Sequence, residues 1–351
     1  MRKLLSGLFL VTLSLVSLVA CTSGQSASKP QQDIPKELVK VRVGSQVSGS
    51  EVGLFIAKEK GFFKEQGIEV ENVRFASASE VIPALATGKI DVGGVGVNAA
   101  TLNAVGREVG MRLVADKGSV PPGRGWIAFV VRKDLADQVK DYKDLKGRTI
   151  GVTPPLDATA NSVDLDKALK KGGLTSADIK IVNLPFTDMI AALSNKGIDI
   201  AMLNEPFVSA AVEQGFGVRW KGADEIYPGH QISTIAYGSD FIKNQPDVAN
   251  RFMVAYVKGV REYNTVYDKG LDKSEVLSIL ASYTNVKDPK SLERAAPTGL
   301  NPDGYVNFDS VAEDQEWFLA KGKIKEKVDL KVLIDNRYAE YAVQKLGKYK
   351  K

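Results

Sequence analysis

Two stretches of this chain carry nearly the same pattern, and Thr187 in the second follows Ser79 in the first by 108 residues. The first reads Ser79-Glu80-Val81-Ile82-Pro83-Ala84-Leu85, then Gly88-Lys89-Ile90-Asp91-Val92. The second reads Thr187-Asp188-Met189-Ile190-Ala191-Ala192-Leu193, then Lys196-Gly197-Ile198-Asp199-Ile200. Each has an N-cap hydroxyl with an acid behind it, an apolar helix face, a glycine stop and a short buried strand. What precedes each copy matches in kind. Val41–Ser45 and Thr149–Thr153 read as strands, each followed by a polar loop, a helix, a glycine and another strand. The repetition predicts two βαβαβ lobes with a cleft between them. Clefts of this kind, at the carboxyl ends of strands, are where small ligands lodge.

The N-terminus has a different character. Arg2 and Lys3 precede an almost wholly apolar run from Leu4 to Ala20, about the length of a signal-peptide core and short for a spanning helix. The run ends in Leu18-Val19-Ala20-Cys21, which resembles the bacterial lipobox. That resemblance implies that residues 1–20 are a lipoprotein signal peptide and that Cys21 becomes a diacylglycerol-modified N-terminus. Acyl chains on Cys21 would hold the protein outside the cytoplasm, on the bacterial cell membrane. Residues 21–37 are rich in Ser, Gln, Lys and Pro and read as a flexible tether.

Composition removes several chemistries. Cys21 is the only cysteine, so no disulfide supports the fold, and His230 is the only histidine, so no Cys/His zinc cluster can form. There is no G-x-S-x-G and no Walker A sequence. The net charge is +5, or +3 once Arg2 and Lys3 are lost, spread along the chain, which does not indicate nucleic-acid binding. Neither metal nor cofactor is expected.

Trp126–Arg132 should carry the chain into the second lobe, and Ile232–Gly238 should return it. This places lobe I at 38–123 and 236–347 and lobe II at 124–235, joined by a hinge of two strands. Arg112–Lys117 reads as a strand of lobe I, and Lys331–Leu346 as one last helix. Asp91 and Asp199, at the turn from helix to strand in each copy, read as structural.

Ala57-Lys58-Glu59-Lys60-Gly61-Phe62-Phe63-Lys64-Glu65-Gln66-Gly67-Ile68-Glu69-Val70 resembles the opening signature of periplasmic-type substrate-binding proteins of the aliphatic-sulfonate, nitrate and thiamine-pyrimidine group. Gly88-Lys89-Ile90-Asp91-Val92-Gly93 and Asp144-Leu145-Lys146-Gly147-Arg148-Thr149-Ile150-Gly151-Val152 resemble two further hallmarks, and Asn204-Glu205-Pro206-Phe207 its acid-Pro-aromatic segment. The resemblance covers about residues 40 to 265. It implies an α/β protein with the two-lobed, type II periplasmic-binding-protein fold. It also implies a monomer that closes on a small solute, delivers it to an ABC importer permease and turns nothing over. The superfamily also resembles thiamine-pyrimidine synthases, which consume a histidine and use pyridoxal phosphate and a cysteine-rich iron motif. That motif is absent here.

Pocket residues should lie just after strand ends and at helix N-termini. In the first lobe this selects Val47, Ser48, Glu51, Ser77, Ala78, Ser79, Val97 and Asn98. In the second it selects Pro155, Asp157, Ala158, Thr159, Phe186, Thr187, Asn204 and Glu205. Arg124 and Trp126 lie at the crossing, suited to pairing with an anion and stacking on a planar ligand respectively. Ser79, Thr187 and Asp157 can equally serve as helix caps. By position Glu51, Asp157 and Glu205 all point toward the cleft, where carboxylates would repel an anion. The ligand expected on this ground is an uncharged or partly cationic planar heterocycle, such as a pyrimidine or flavin-type vitamin or precursor. The alternative is a sulfonate, nitrate or aromatic carboxylate held by Arg124.

Overall fold

The computed structural model describes residues 37–75, 78–106, 110–284 and 286–351, apart from the side chains of Ala78 and Ser79. The expected signal peptide, Cys21 and nearly all of the expected tether lie outside these residues. The described residues form one compact unit.

Its strands are β1 (Val39–Ser45), β2 (Ile68–Arg74), β3 (Val92–Gly96), β4 (Met111–Val120), β5 (Ile127–Arg132), β6 (Thr149–Val152), β7 (Lys180–Asn183), β8 (Ile200–Asn204), β9 (Gly217–Gly222) and β10 (His230–Gly238). They form two five-stranded sheets, ordered β2-β1-β3-β10-β4 and β7-β6-β8-β5-β9. In the first, β1 runs parallel to β2 and β3, while β10 is antiparallel to both β3 and β4. The second repeats the plan, with β6 parallel to β7 and β8 and with β5 antiparallel to β8 and β9. The segments 121–126 and 223–229 connect the two sheets.

The sequence repeat has a structural counterpart in its two aspartates. Asp91 Oδ2 accepts the backbone N–H of Arg42 in β1 at 2.8 Å, and Asp199 Oδ2 accepts that of Thr149 in β6 at 2.9 Å. An arginine closes each site, Arg42 Nη2 on Asp91 at 2.6 Å and Arg132 Nη1 on Asp199 at 3.0 Å. Each carboxylate thus fixes where its helix-to-strand turn meets the strand that opens its copy of the repeated unit, β1 or β6.

The helix Val52–Glu59 packs on the long helix Pro246–Asp268 to form the largest core, with Ile56, Phe252 and Tyr256 fully buried. Glycines set the approach of the two helices. A Cβ on Gly259 would stand 2.2 Å from the Gly53 carbonyl oxygen and 2.9 Å from the Ala57 amide nitrogen.

Two segments depart from expectation. The strand expected to end at Lys117 continues to Val120, because Gly118 and Ser119 still pair with β10 and Ser119 N–H donates to Gly299 O at 2.9 Å. The expected last helix is two helices, Leu330–Leu333 and Arg337–Leu346. Ile334 breaks it by bridging to Leu113 at the edge of the first sheet, where Asp335 N–H donates to Leu113 O.

Candidate ligand-binding site

A cavity of about 480 Å³ opens where the ends of β1, β3 and β8, the start of β10 and Lys117 of β4 converge with the long helix and the segment that follows it. Its polar floor comes from Gln46, Val47, Ser48, Gly49, Ser50, Gly96, Lys117 and Ser233. One wall is Trp126, Phe186, Asn204, Glu205, Pro206 and Phe207. The other is Tyr263 and Tyr267 of the long helix, Leu277 and Leu280 of the helix Ser274–Tyr283, and Thr284, Val286, Leu292 and Ala295–Thr298 beyond it.

The expected carboxylates are spoken for. Glu51 is fully buried and accepts from Ser45 Oγ at 2.7 Å and from the N–H groups of Gln46 and Ser48 at 3.1 and 3.3 Å. Glu205 lines the cavity but accepts from Ser209 Oγ, Ser209 N–H and the N–H of Ala296, all within 3.1 Å. Burial pushes its carboxyl above the usual range, against these bonds. Asp157 lies outside the cavity lining, with backbone φ of 55°.

The group left to face a ligand is a cation. Lys117, in the middle of β4, is 3 % exposed. Its ammonium donates to Ser50 Oγ at 3.0 Å and sits 4.0 Å from Glu51 Oε1. That hydrogen bond uses one of its three donors. Burial pushes the Lys117 ammonium below its ordinary value, opposed by Glu51 and Asp116. Its aliphatic stem lies over Gly94, where a Cβ would stand 2.7 Å from the Lys117 side chain, so the glycine run of β3 makes room for the lysine. Beside it, Ser233 Oγ is buried without a hydrogen-bond partner among the described residues.

The other selected residues sit as follows. Ser48, Trp126, Phe186 and Asn204 line the cavity with Glu205. Trp126 spends its indole N–H on Ser119 O at 2.8 Å, leaving the ring as surface. Arg124 lies outside the lining, pairs with Asp268 at 3.0 Å and covers one face of the Tyr267 ring. Asn98 caps the helix Ala99–Val105 by accepting from Thr101 N–H, and Thr159 caps Ala160–Lys171. Ala158 O accepts from Ala99 N–H. Pro155 is exposed, and the Thr187 hydroxyl turns to Asp188. Ser77 and the side chains of Ala78 and Ser79 lie outside the described residues.

Sequence reasoning passed over Lys117, Ser233 and the whole helical wall. A signal for Lys117 existed: Asp116-Lys117 is a charged pair inside the otherwise uncharged run Leu113–Val120. Charges so placed are buried and need partners or a task. Asp116 has partners, accepting from Ser119 Oγ, Asn301 N–H, Gln231 Nε2 and Gly118 N–H. No local signal carries Tyr263, Leu277 or Val286 to the cleft.

The NMT1/THI5-like family matches residues 50–264 of the chain. The taurine-binding periplasmic protein of Escherichia coli (strain K12) is 26% identical over 252 residues, covering 72% of this chain and 75% of that protein. Among solved structures, the periplasmic aliphatic sulphonate binding protein SsuA from Escherichia coli superposes with a TM-score of 0.67 at 20% identity, covering 84% of this chain and 92% of that one. The periplasmic nitrate-binding protein NrtA from Synechocystis PCC 6803 superposes with a TM-score of 0.68 at 16% identity, covering 89% and 90%. With two sheets of one plan and a cavity at their strand ends, the chain belongs to the NMT1/THI5-like family and has the type II periplasmic-binding-protein fold.

Proposed function

We propose that this protein is the extracytoplasmic receptor of an ABC importer and that its solute is a small organic anion. It is a binding protein, not an enzyme, and works with a membrane transporter. The observation that carries the ligand reading is Lys117, a buried ammonium at the cavity floor with donors to spare. An anion placed there makes charge-assisted hydrogen bonds, each worth about 1.5–3 kcal/mol. Ser233 Oγ and the first turn at Gly49–Ser50, whose N–H groups have no intrahelical acceptor, add neutral donors.

This reverses the expectation of a neutral or cationic heterocycle. That expectation rested on carboxylates facing the cleft, and the protein's own donors engage Glu51 and Glu205. The sulfonate, taurine and nitrate named for the relatives also support an anion. Arg124, the anion partner expected from sequence, is replaced in that role by Lys117.

In this reading the halves built on the two sheets close over the solute, pivoting at 121–126 and 223–229. Acyl chains on Cys21 hold the receptor beside its permease. Replacing Cys21 by Ala should abolish incorporation of radiolabelled palmitate. The test of the ligand is thermal shift with sulfonates, carboxylates, nitrate, pyrimidines and flavins. A ligand at a hundred times its Kd stabilises by about 2.7 kcal/mol. The anions should shift wild type and leave Lys117→Met unmoved. Stabilisation by heterocycles alone would overturn the proposal.

A further inference from the structure

The anion reading names the charge of the head group and leaves the body of the ligand open. Lys117 and Ser233 occupy only part of the lining. A nitrate, or a sulfonate on two carbons, would leave most of about 480 Å³ to water. Volumes of about 300–1,000 Å³ belong to sites that enclose drug-sized molecules.

Five aromatic rings line this volume, and they enter from different elements. Phe186 and Phe207 stack at 5.2 Å and 28°, one from each of the two helices that begin beside β7 and β8. Trp126 ends the connection that leads into β5, with its side chain's only polar atom already bonded inside the protein. Tyr263 and Tyr267 stand one helical turn apart on the long helix, at a centroid distance of 4.9 Å. Arg124 covers one face of Tyr267. Phe186 and Phe207 flank the second copy of the repeat, just before and just after it, and the long helix supplies both tyrosines opposite them.

Resting on the anion reading, we propose that the ligand is an aryl anion. Its sulfonate or carboxylate is held by Lys117 and Ser233, and its ring lies among Trp126, Phe186, Phe207, Tyr263 and Tyr267. Flat rings bury large area with little entropy to lose and gain further from offset or edge contacts with aromatic walls. A flexible aliphatic chain of the same size has to freeze its torsions to occupy the same space.

Calorimetric titration of the full chain tests this with benzenesulfonate, naphthalene-2-sulfonate, hexanesulfonate, taurine, nitrate and neutral benzenesulfonamide. The aryl sulfonates should bind at least about tenfold more tightly than hexanesulfonate or taurine. Phe207→Ala should bring that ratio toward one while changing taurine affinity little. Phe186→Leu is the second variant if Phe207→Ala does not fold. Lys117→Met should weaken every sulfonate. Taurine, nitrate or hexanesulfonate binding as tightly as the aryl sulfonates overturns the aryl proposal and leaves the anion reading standing. Benzenesulfonamide binding as tightly as benzenesulfonate, with Lys117→Met unchanged, overturns the anion reading itself. Binding of none of the aryl probes overturns the aryl proposal.

Discussion

His230 is fully buried at the start of β10, clamped between two equally buried carboxylates. Its Nδ1 lies 2.7 Å from Asp164 of the helix Ala160–Lys171, and its Nε2 lies 2.9 Å from Asp314 of the helix Phe308–Ala320. Burial alone would push the imidazole down, but the two carboxylates more than offset this and raise it from 6.5 to about 10. Burial also raises both aspartates, while the imidazolium pulls them back. Lys167, beside Asp164, and Glu313, beside Asp314, complete the charged surroundings. A base whose value rises on folding gives stability that is full below pH 6.5 and lost as pH rises through about 10. Integrated over that window, the imidazolium contributes about 4 kcal/mol at pH 7. Removing one partner of a buried ion pair costs about 3–5 kcal/mol by a separate route, which agrees. His230→Phe, which keeps a ring against Tyr227, should therefore lower unfolding free energy at pH 7 by about 4 kcal/mol in urea titrations followed by tryptophan fluorescence. The gap between variant and wild type should shrink to below about 1 kcal/mol by pH 10. Adding Asp164→Asn and Asp314→Asn to the variant should recover much of the loss, because no uncompensated charge remains. A loss at pH 7 below about 1 kcal/mol, or a gap that does not narrow with pH, would refute the imidazolium clamp.

Gly259→Ala should destabilise by about 2 kcal/mol despite the better helix propensity of alanine, because its Cβ meets the backbone of Gly53 and Ala57 at 2.2 and 2.9 Å. Equal stability of variant and wild type in the same titration would show that the helix pair can separate freely. Asp91→Asn should cost about 2 kcal/mol and Asp199→Asn less; the Asp91 side chain is 9% exposed and that of Asp199 22%. The reverse order in denaturation midpoints would count against the two sites being versions of one device. Sulfonate affinity should fall as pH rises. Burial depresses Lys117 in the free protein, and a bound anion favours its charged form, so affinity falls as the free protein loses that charge. Calorimetry across pH should show this slope in wild type and not in Lys117→Met, and a flat wild-type profile would argue that the ammonium does not contact the ligand.

The repeat was legible because it rests on short-range chemistry. An apolar face and a buried strand are written in consecutive residues, so both helix–strand units and the structural role of Asp91 and Asp199 could be read from them. The expected cap and stop fail in the second copy, where Pro185 precedes the helix with Thr187 inside it and Lys196, not Gly197, takes the positive φ after it. The break before Arg337 could not. Ile334 leaves the helix because a sheet edge more than two hundred residues earlier in sequence offers it a partner at Leu113. Local propensity has no knowledge of that edge.

The site divides the same way. Ser48, Phe186, Asn204 and Glu205, at strand ends and helix starts, reach the cavity as α/β geometry favours, while Asn98 and Thr159, placed alike, cap their helices instead. Sequence could not say which charge the cavity would feel. A carboxylate in a loop looks available until its acceptors are counted, and the donors that occupy Glu205 include the amide of Ala296, 91 residues away. The sequence by itself determined two copies of one α/β unit and, with no cysteine after Cys21 and a single histidine, excluded thiol and multi-histidine chemistry from residues 22–351. Tertiary structure decided that Glu51 and Glu205 turn to the protein, that Lys117 turns to the cavity, and that helices far along the chain build its aromatic wall. The physical reason is range: capping and periodicity act over a few residues, whereas the satisfaction of a buried charge depends on whatever the folded chain brings beside it.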